Sequence, residues 1–280
     1  MCAVLITKST GEKEIFDPSK LVSSLRKAGA TDGEANKILY EVERVLVDGA
    51  STVSIYKHAF GMLRHSVRHV AARYSMKRAI AELGPNGFPF EKFIAEIYKA
   101  QGFEAVTDQV VRGECVEHEV DVVAWKGDDL AMVEAKFHNE PGLKSDLKVA
   151  LYVKARFDDL RDGTYEYGGK KRKVTSWELV TNTKFTETAI RYAECRKLPL
   201  IGWNYPREGN LEDLVSKYDL HPITSLTTLT GSEKRALIDK GFILAKHIAQ
   251  KPKELESLGI DTKNISAVLD EVKNICKTHG

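Results

Sequence analysis

Three side chains in residues 118–138 have types and spacing suited to chemistry, namely Asp121, Glu134 and Lys136. Two carboxylates placed side by side repel by roughly 0.2–1 kcal/mol when exposed, and by more when water is excluded. A hard divalent cation with oxygen ligands relieves that repulsion. The lysine adds a point charge that can steer a water molecule or steady a phosphate. The alternative is a wet sheet face on which Lys136 pairs with Glu119 or Glu134.

A β-hairpin is the element that must bring these side chains together. Two apolar, β-branched runs flank a short Gly/Asp turn, K-G-D-D, at 126–129. With that loop Trp125 faces Leu130, the two carboxylates lie opposite each other, and Glu119 lies opposite Lys136. Side chains two residues apart on a strand share a face, so the acidic pair and the lysine should project from one patch. A loop one residue longer or shorter would spoil this geometry.

The order of motifs around the hairpin resembles the PD-(D/E)XK nuclease superfamily, in particular Mrr-like restriction endonucleases and archaeal Holliday-junction resolvases. The motifs are the helix F-E-K-F-I-A-E-I-Y-K-A-Q-G-F at 90–103, the Asp-bearing strand, the turn, and the E-A-K strand. L-V-T-N-T-K-F-T-E-T-A-I-R-Y-A and L-P-L-I-G-W-N-Y-P then supply a closing strand, helix and strand. The resemblance covers 88–206, and Glu91 stands where the resolvases carry an extra acidic residue.

This resemblance implies a metal-dependent endonuclease that acts on DNA. Asp121, Glu134 and the carbonyl of Ala135 are the implied ligands of Mg²⁺ (or Mn²⁺). Glu91 would complete the shell or bind a second ion. Lys136 would orient the attacking water and offset charge on the phosphate, while the metal acts as Lewis acid and water activator. A role in phage defence or DNA repair follows by analogy alone.

The N-terminal block, 1–86, predicts a small, mostly helical domain with two short strands at 3–6 and 13–16. Asp17-Pro18 begins its first helix, and G-P-N-G at 84–87 ends the block. Through I-T-K-S-T-G-E-K-E-I-F-D-P-S-K-L it resembles the ATP-cone, the nucleotide-sensing module of ribonucleotide reductases and their repressors.

The ATP-cone resemblance implies that Lys8 and Lys20 approach phosphates, that Glu14 helps to read the base, and that Thr52 touches the nucleotide. ATP or dATP would then be an effector of the enzyme. Two lysines beside a helix N-terminus make a local anion site. Ser9 stands where the family often has Arg, which leaves phosphate affinity and the di- versus triphosphate choice open. The alternative is a small helical module with solvated lysines.

The central segment, 87–206, predicts a restriction-endonuclease-like mixed sheet flanked by helices. A polar loop is expected at 162–173, between a helix and the next strand. Its tyrosines and basic residues suit phosphate contact with stacking on a base; the alternative is a mobile, solvated loop. The basic residues are Lys170, Lys171, Arg172 and Lys173.

Short helices with Gly turns fill the last segment, 207–280, and resemble helix-hairpin-helix units, whose turns present backbone N–H groups to phosphate. A plain helical bundle that docks on the core or mediates oligomerisation is the alternative. The predicted fold class is therefore a multidomain α+β/α/β protein with domains at 1–86, 87–206 and 207–280.

His65 and His69 have i,i+4 spacing, but a basic helix face or oligomer contact is favoured over a metal site.

Composition places the chain among soluble globular proteins: its 280 residues are 42% hydrophobic and 29% charged. The net charge is only +2, so any nucleic-acid surface must be local. The cysteines are scattered, which indicates a reducing cytoplasm and argues against a zinc ribbon or a disulfide scaffold. They are Cys2, Cys115, Cys195 and Cys276. No signal peptide and no run of membrane-spanning length is predicted, so we expect a cytoplasmic protein.

Three classes of function stay open. The first is a Mg²⁺-dependent endonuclease regulated by ATP or dATP, working on DNA as a homo-oligomer, dimer or tetramer. The second is a non-catalytic, nucleotide-responsive DNA-binding regulator that uses the nuclease fold as a scaffold. The third is a ribonucleotide reductase accessory protein, which needs a partner interaction that the sequence does not show. The complete D…E-x-K set with Glu91 favours the first.

Overall fold

The structure, a computed structural model, describes residues 4–8, 10–140 and 142–276, so Cys2 and Ser9 lie outside the described residues. The chain divides into two compact units, Met1–Ala79 with His221–Gly280, and Ile80–Leu220. These units do not follow the three predicted segments one to one, because the N-terminal and C-terminal parts of the chain pack together.

The N-terminal elements form a three-stranded sheet, order β2-β1-β3, with helices. They are β1 (Leu5–Thr7), β2 (Lys13–Ile15), α1 (Pro18–Lys27), α2 (Asp32–Val45), β3 (Ala50–Ser51), α3 (Thr52–Ser66), α4 (Arg68–Tyr74) and α5 (Met76–Ala81). As predicted, Asp17 caps α1 by accepting from the Ser19 N–H at 2.9 Å. Val67 (φ −142°, ψ 81°) ends α3 before α4 begins. His65 and His69 therefore lie on different helices, and their i,i+4 spacing does not place them side by side.

The central elements build a five-stranded mixed sheet of order β12-β10-β6-β5-β4. They are α6 (Phe88–Ala100), β4 (Glu104–Arg112), β5 (Glu117–Lys126), β6 (Asp129–Lys136), β7 (Lys144–Ser145), α7 (Leu147–Leu160), β8 (Thr164–Tyr167), β9 (Lys170–Lys173), β10 (Ser176–Thr181), β11 (Lys184–Phe185), α8 (Glu187–Arg196), β12 (Leu200–Ile201) and α9 (Leu211–Lys217). β4, β5 and β6 run antiparallel, whereas β10 runs parallel to β6 and to β12. The predicted mixed sheet is confirmed.

Both faces of this sheet are covered, which explains the unbroken apolar run in β5. Val122 and Val123 point to opposite faces, yet both are fully buried. α6 packs on β4, β5 and β6. On the face that carries Val123 and Met132, a core forms with Leu160 at the end of α7. α7 thus runs over the face on which Asp121 and Glu134 are expected by strand alternation.

The predicted polar loop at 162–173 is instead a second hairpin, β8–β9, with Tyr165 opposite Arg172. Gly168 and Gly169 form its turn with φ of 59° and 71°, the left-handed values that a two-residue type I′ turn needs. Tyr165 and Arg172 are buried, while their strand neighbours are exposed. The strand alternation was hidden in the sequence because the inward residue of β9 is an arginine.

The C-terminal elements are helical, as predicted: a 3₁₀ turn at Ile223–Ser225, α10 (Gly231–Asp239), α11 (Ala245–Gln250), α12 (Lys253–Ser257) and α13 (Thr262–Ile275). α13 packs against α4 of the N-terminal part. Its buried Glu271 accepts from the N–H and hydroxyl groups of Thr227 and Thr228 at 2.6–2.9 Å. Among the described residues, no helix combines the length and the apolar character needed to cross a bilayer.

Candidate active site

The hairpin β5–β6 has the predicted register, with Trp125 opposite Leu130. Backbone pairing of the two strands continues as far as Val122 opposite Val133 and ends there. At the next position the carboxylate of Asp121 accepts from the Ala135 N–H at 2.7 Å, so a side chain replaces a strand partner. The predicted cross-strand pairs Asp121–Glu134 and Glu119–Lys136 are therefore not part of the backbone pairing between β5 and β6. The two strands part at this end, which makes room for the acidic side chains.

Glu134 is held by a residue that sequence reasoning missed. The Arg156 guanidinium, from the third turn of α7, donates to Glu134 Oε2 at 2.6 Å. Both side chains are largely buried, at 11% and 18% exposed. The guanidinium also lies over the ring of Tyr152, 5.4 Å from its centroid. Arg156 is remote from the E-A-K motif in sequence, so only the fold reveals the pair.

Carboxylates crowd this end of the sheet, and burial together with neighbouring negative charges raises the pKa of three of them. Burial, followed by the charges of Asp121 and Glu119, raises the pKa of Glu91 to about 7. Burial and the charge of Asp121 raise the pKa of Glu134 to about 7 despite the opposing effect of Arg156. Burial also raises the pKa of Asp121, against the Ala135 hydrogen bond and Arg156. The structure therefore brings together the three predicted acids Glu91, Asp121 and Glu134 in one electrostatic cluster.

Asp108 is a further acidic residue near these carboxylates, and no motif in the sequence predicts its role. It adopts φ 58° inside β4, between Thr107 opposite Val122 and Gln109 opposite Val120. This register places Asp108 across from Asp121, and its charge contributes to the raised pKa of Glu91. Left-handed backbone is uncommon for a residue other than glycine and gathers at functional sites.

The backbone around Lys136 is fixed from the neighbouring strand β10. The Lys136 carbonyl accepts from Thr181 Oγ1 at 2.8 Å. Asn182 clamps His138 twice, accepting from its N–H at 2.8 Å and donating to its carbonyl at 2.7 Å. Thr181 and Asn182 are buried, whereas the Lys136 side chain is exposed. The Lys136 side chain thus extends into solvent from a backbone segment held by hydrogen bonds.

Helix α7 is anchored at both ends, which fixes where Arg156 lies. Asp146 caps its N-terminus by accepting from the N–H groups of Lys148 and Val149. One turn beyond Arg156, Asp159 accepts from the Cys115 N–H at 2.8 Å and contacts His118 Nε2 at 2.7 Å. These contacts hold the pKa of Asp159 well below its usual range.

No group of three or more His, Cys, Asp or Glu side chains in the described part of the chain is arranged to hold a metal ion as it stands. The predicted ligand set of Asp121, Glu134, Ala135 and Glu91 therefore stays a prediction. One oxygen of each central carboxylate is engaged, Asp121 Oδ2 by the Ala135 N–H and Glu134 Oε2 by Arg156. The chemistry of the donors nevertheless fits a divalent cation, since these crowded carboxylates repel and a hard cation relieves that repulsion.

The predicted nucleotide-binding residues also lie near one another. Glu14 Oε2 is 3.0 Å from Lys8 Nζ and 3.3 Å from Lys20 Nζ. β1 and β3 are parallel, and Thr7 lies opposite Ser51. Lys8 directly follows Thr7, and Thr52 directly follows Ser51. Lys8, Glu14 and Lys20 thus form one charged cluster, and Thr52 begins α3 directly after the strand that pairs with β1.

The four basic residues of β9 are not equivalent. Arg172 is buried and donates to the carbonyls of Gly127, Tyr167 and Lys170, so it holds the hairpin together. Lys170 pairs with Asp128. Lys170, Lys171 and Lys173 are exposed, and of these Lys171 and Lys173 flank the inward-facing Arg172.

A Glu91→Gln variant tests the acidic cluster through the pH dependence of stability. The pKa of Glu91, about 7 against an ordinary 4.5, means that the folded state binds more protons than the unfolded state between these values. Its contribution to stability is therefore present below about pH 4.5 and is lost as the pH rises through about 7. With a chelator present, we expect Tm to fall between about pH 5 and pH 8, and to fall less in Glu91→Gln. Exposed Glu104→Gln is the control, and equal falls in all three proteins would contradict the cluster.

Comparison with known proteins agrees with this architecture. The restriction endonuclease family Mrr_cat matches residues 85–204, and the family AF1548-like, C-terminal, matches residues 221–276. An uncharacterized protein of Archaeoglobus fulgidus is 34% identical over 183 residues, which cover 65% of this chain and 99% of that protein. The ATP-cone resemblance of the N-terminal block stays a prediction.

Two solved structures are similar. The crystal structure of protein of unknown function AF1548 is 32% identical, with a TM-score of 0.55, and the match covers 69% of this chain and 100% of that chain. The MspJI restriction endonuclease in complex with a 27-mer oligonucleotide is 14% identical, with a TM-score of 0.31, over 60% of this chain and 40% of that chain. The second match is too distant to support any conclusion. The first, with the family matches, shows that the chain belongs to the AF1548-like family and carries a restriction endonuclease domain.

Proposed function

We propose that the protein is a DNA endonuclease dependent on Mg²⁺ or Mn²⁺. The observation that carries the proposal is the crowding of Asp121 and Glu134 at the parted ends of β5 and β6, with exposed Lys136 on the same strand as Glu134. Two largely buried carboxylates, of which Asp121 raises the pKa of Glu134, are an unfavourable arrangement unless a cation binds to them. The restriction endonuclease domain supports phosphodiester hydrolysis as that use.

Each residue then has a defined role. Asp121 and Glu134 would hold the metal, joined by the Ala135 carbonyl, with Glu91 completing the shell or holding a second ion. The bound metal supplies Lewis acidity and lowers the pKa of a bound water molecule. Lys136 orients the attacking water and offsets negative charge that builds on the phosphate. Thr181 and Asn182 keep the backbone of that lysine segment in place.

Plasmid nicking tests this proposal. Glu134→Gln removes a metal ligand and Lys136→Ala removes the charge beside the water, so each should lower the nicking rate by at least about 100-fold. Lys217→Ala, which removes an exposed lysine of α9, is the matched control and should nick like the wild type. The assay compares Mg²⁺, Mn²⁺ and a chelator.

Nicking that persists at the wild-type rate in Glu134→Gln and Lys136→Ala would refute the assignment. DNA binding that responds to dATP without cleavage under any condition would support the non-catalytic regulator instead. Assembly as a dimer or tetramer and a role in phage defence or repair stay predictions.

The exposed lysines Lys171 and Lys173 of the β8–β9 hairpin are the residues proposed to contact the DNA phosphates. Replacing both by Ala should weaken DNA binding and lower the slope of log K against log salt by about 0.9 per lost phosphate contact. Lys37→Ala combined with Lys57→Ala removes the same charge from exposed positions in α2 and α3 and serves as the control. A salt slope that is unchanged in the hairpin variant would show that the hairpin stays in solvent.

A second proposed activity is the binding of ATP or dATP by the N-terminal block. The specific observation is the convergence of Lys8 and Lys20 on Glu14, close to the capped N-terminus of α1. A phosphate group would take over the two lysines, and the helix N-terminus adds favourable partial charge. Glu14 would then be released to contact the base.

Thermal unfolding with ATP or dATP tests this binding. A ligand at 100 times its Kd stabilises the folded state by about 2.7 kcal/mol, which raises Tm measurably. Lys20→Ala should abolish the rise because it removes one phosphate contact, whereas Lys37→Ala should keep it. A wild-type Tm that neither nucleotide changes would eliminate the effector role.

A further inference from the structure

We infer that Arg156 competes with the metal ion for Glu134 and, once displaced, binds the phosphate of the DNA. This inference rests on the proposed nuclease function and deepens it by assigning a substrate-binding residue to the same site. Arg156 belongs neither to the D…E-x-K motif nor to the residues that sequence reasoning selected.

The competition follows from the contact itself. One guanidinium nitrogen lies 2.6 Å from Glu134 Oε2, in a pair whose side chains are 11% and 18% exposed. A divalent cation on the same carboxylate would place two cations within a few ångströms where little water can screen them. The metal and the guanidinium are therefore alternative partners of Glu134. Metal binding must move Arg156, and Arg156 must weaken metal binding.

Hydrogen bonds hold the backbone of α7 on both sides of Arg156. α7 is fixed at its first turn by Asp146 and just beyond Arg156 by Asp159, which accepts from the Cys115 and Val116 N–H groups. The backbone of Arg156 therefore stays beside the site when the guanidinium leaves Glu134. A displaced arginine remains within reach of whatever occupies that end of the sheet.

The ring of Tyr152 gives the displaced guanidinium a surface to rest on. It lies one turn earlier on α7, is 62% exposed, and already has the guanidinium over its face. A rotation toward solvent keeps this cation–π contact while it releases Glu134. The planar fork of an arginine matches the oxygens of a phosphate, so the anion of the substrate is the natural new partner.

Isothermal titration of the full-length protein with Mn²⁺, in the absence of DNA, tests the competition. Arg156→Met should tighten Mn²⁺ binding by about tenfold, since a coupling of this kind is reciprocal and typically changes affinity 5- to 150-fold. Arg161→Met removes an exposed arginine directly after the same helix and should bind Mn²⁺ like the wild type. Unchanged or weaker Mn²⁺ binding by Arg156→Met would overturn the inference.

Cleavage kinetics at saturating Mn²⁺ test the second half. Loss of a charge-assisted contact to phosphate should raise KM for plasmid DNA by about tenfold in Arg156→Met. Tighter metal binding together with weaker DNA binding is the expected signature, because a merely structural ion pair would weaken both. A KM that stays at the wild-type value would overturn the phosphate assignment.

Arg156→Lys keeps the proposal testable if Arg156→Met does not fold. It retains the competing charge but not the fork, so Mn²⁺ affinity should stay near wild type while KM rises; an unchanged KM would refute the phosphate contact. A failure of the nuclease proposal looks different. In that case the wild type and Glu134→Gln would bind Mn²⁺ equally or not at all, whatever residue stands at 156.

Discussion

Repulsion among carboxylates at one end of the central sheet is the constraint on which the rest of the site depends. Asp121 and Glu134 are largely shielded from solvent, and the negative charges of both raise the pKa of Glu91. The protein offsets this cost with three different devices. A backbone N–H from Ala135 meets Asp121, a guanidinium from α7 meets Glu134, and Glu91 stands in the first turn of α6, where the helix dipole favours an acid.

Each of these devices requires a distant element to be held in place, and this explains the polar contacts outside the site. Asp159 ties the end of α7 to the turn between β4 and β5, and there is no room at Gly113 for any larger residue, because a Cβ there would lie 2.1 Å from Asp159 Oδ2. Asn182 ties β10 to the segment that follows Lys136. Their contacts position the elements that carry the site.

Local rules explain what could be predicted from the sequence. The Gly/Asp turn and the β-branched runs set the β5–β6 register, and Asp17-Pro18 set the start of α1, because these signals act within a few residues. The residues that were missed act over long sequence distances. Arg156 contacts Glu134 only because α7 crosses the sheet. Asp108 lies opposite Asp121 and itself adopts a left-handed backbone conformation inside β4.

The same difference between local and long-range signals explains why the basic residues of β9 have two different roles. In the sequence, Lys171, Arg172 and Lys173 look alike, and the run reads as solvated or phosphate-binding. In the fold the pleat of β9 turns the arginine inward, where its guanidinium donates to the carbonyl groups of Gly127 and Tyr167. Lys171 and Lys173 stay exposed, so their charge is available to a polyanion. Since the net charge of the chain is +2, such individually placed cations, rather than a general basic field, must supply whatever affinity for DNA the domain has.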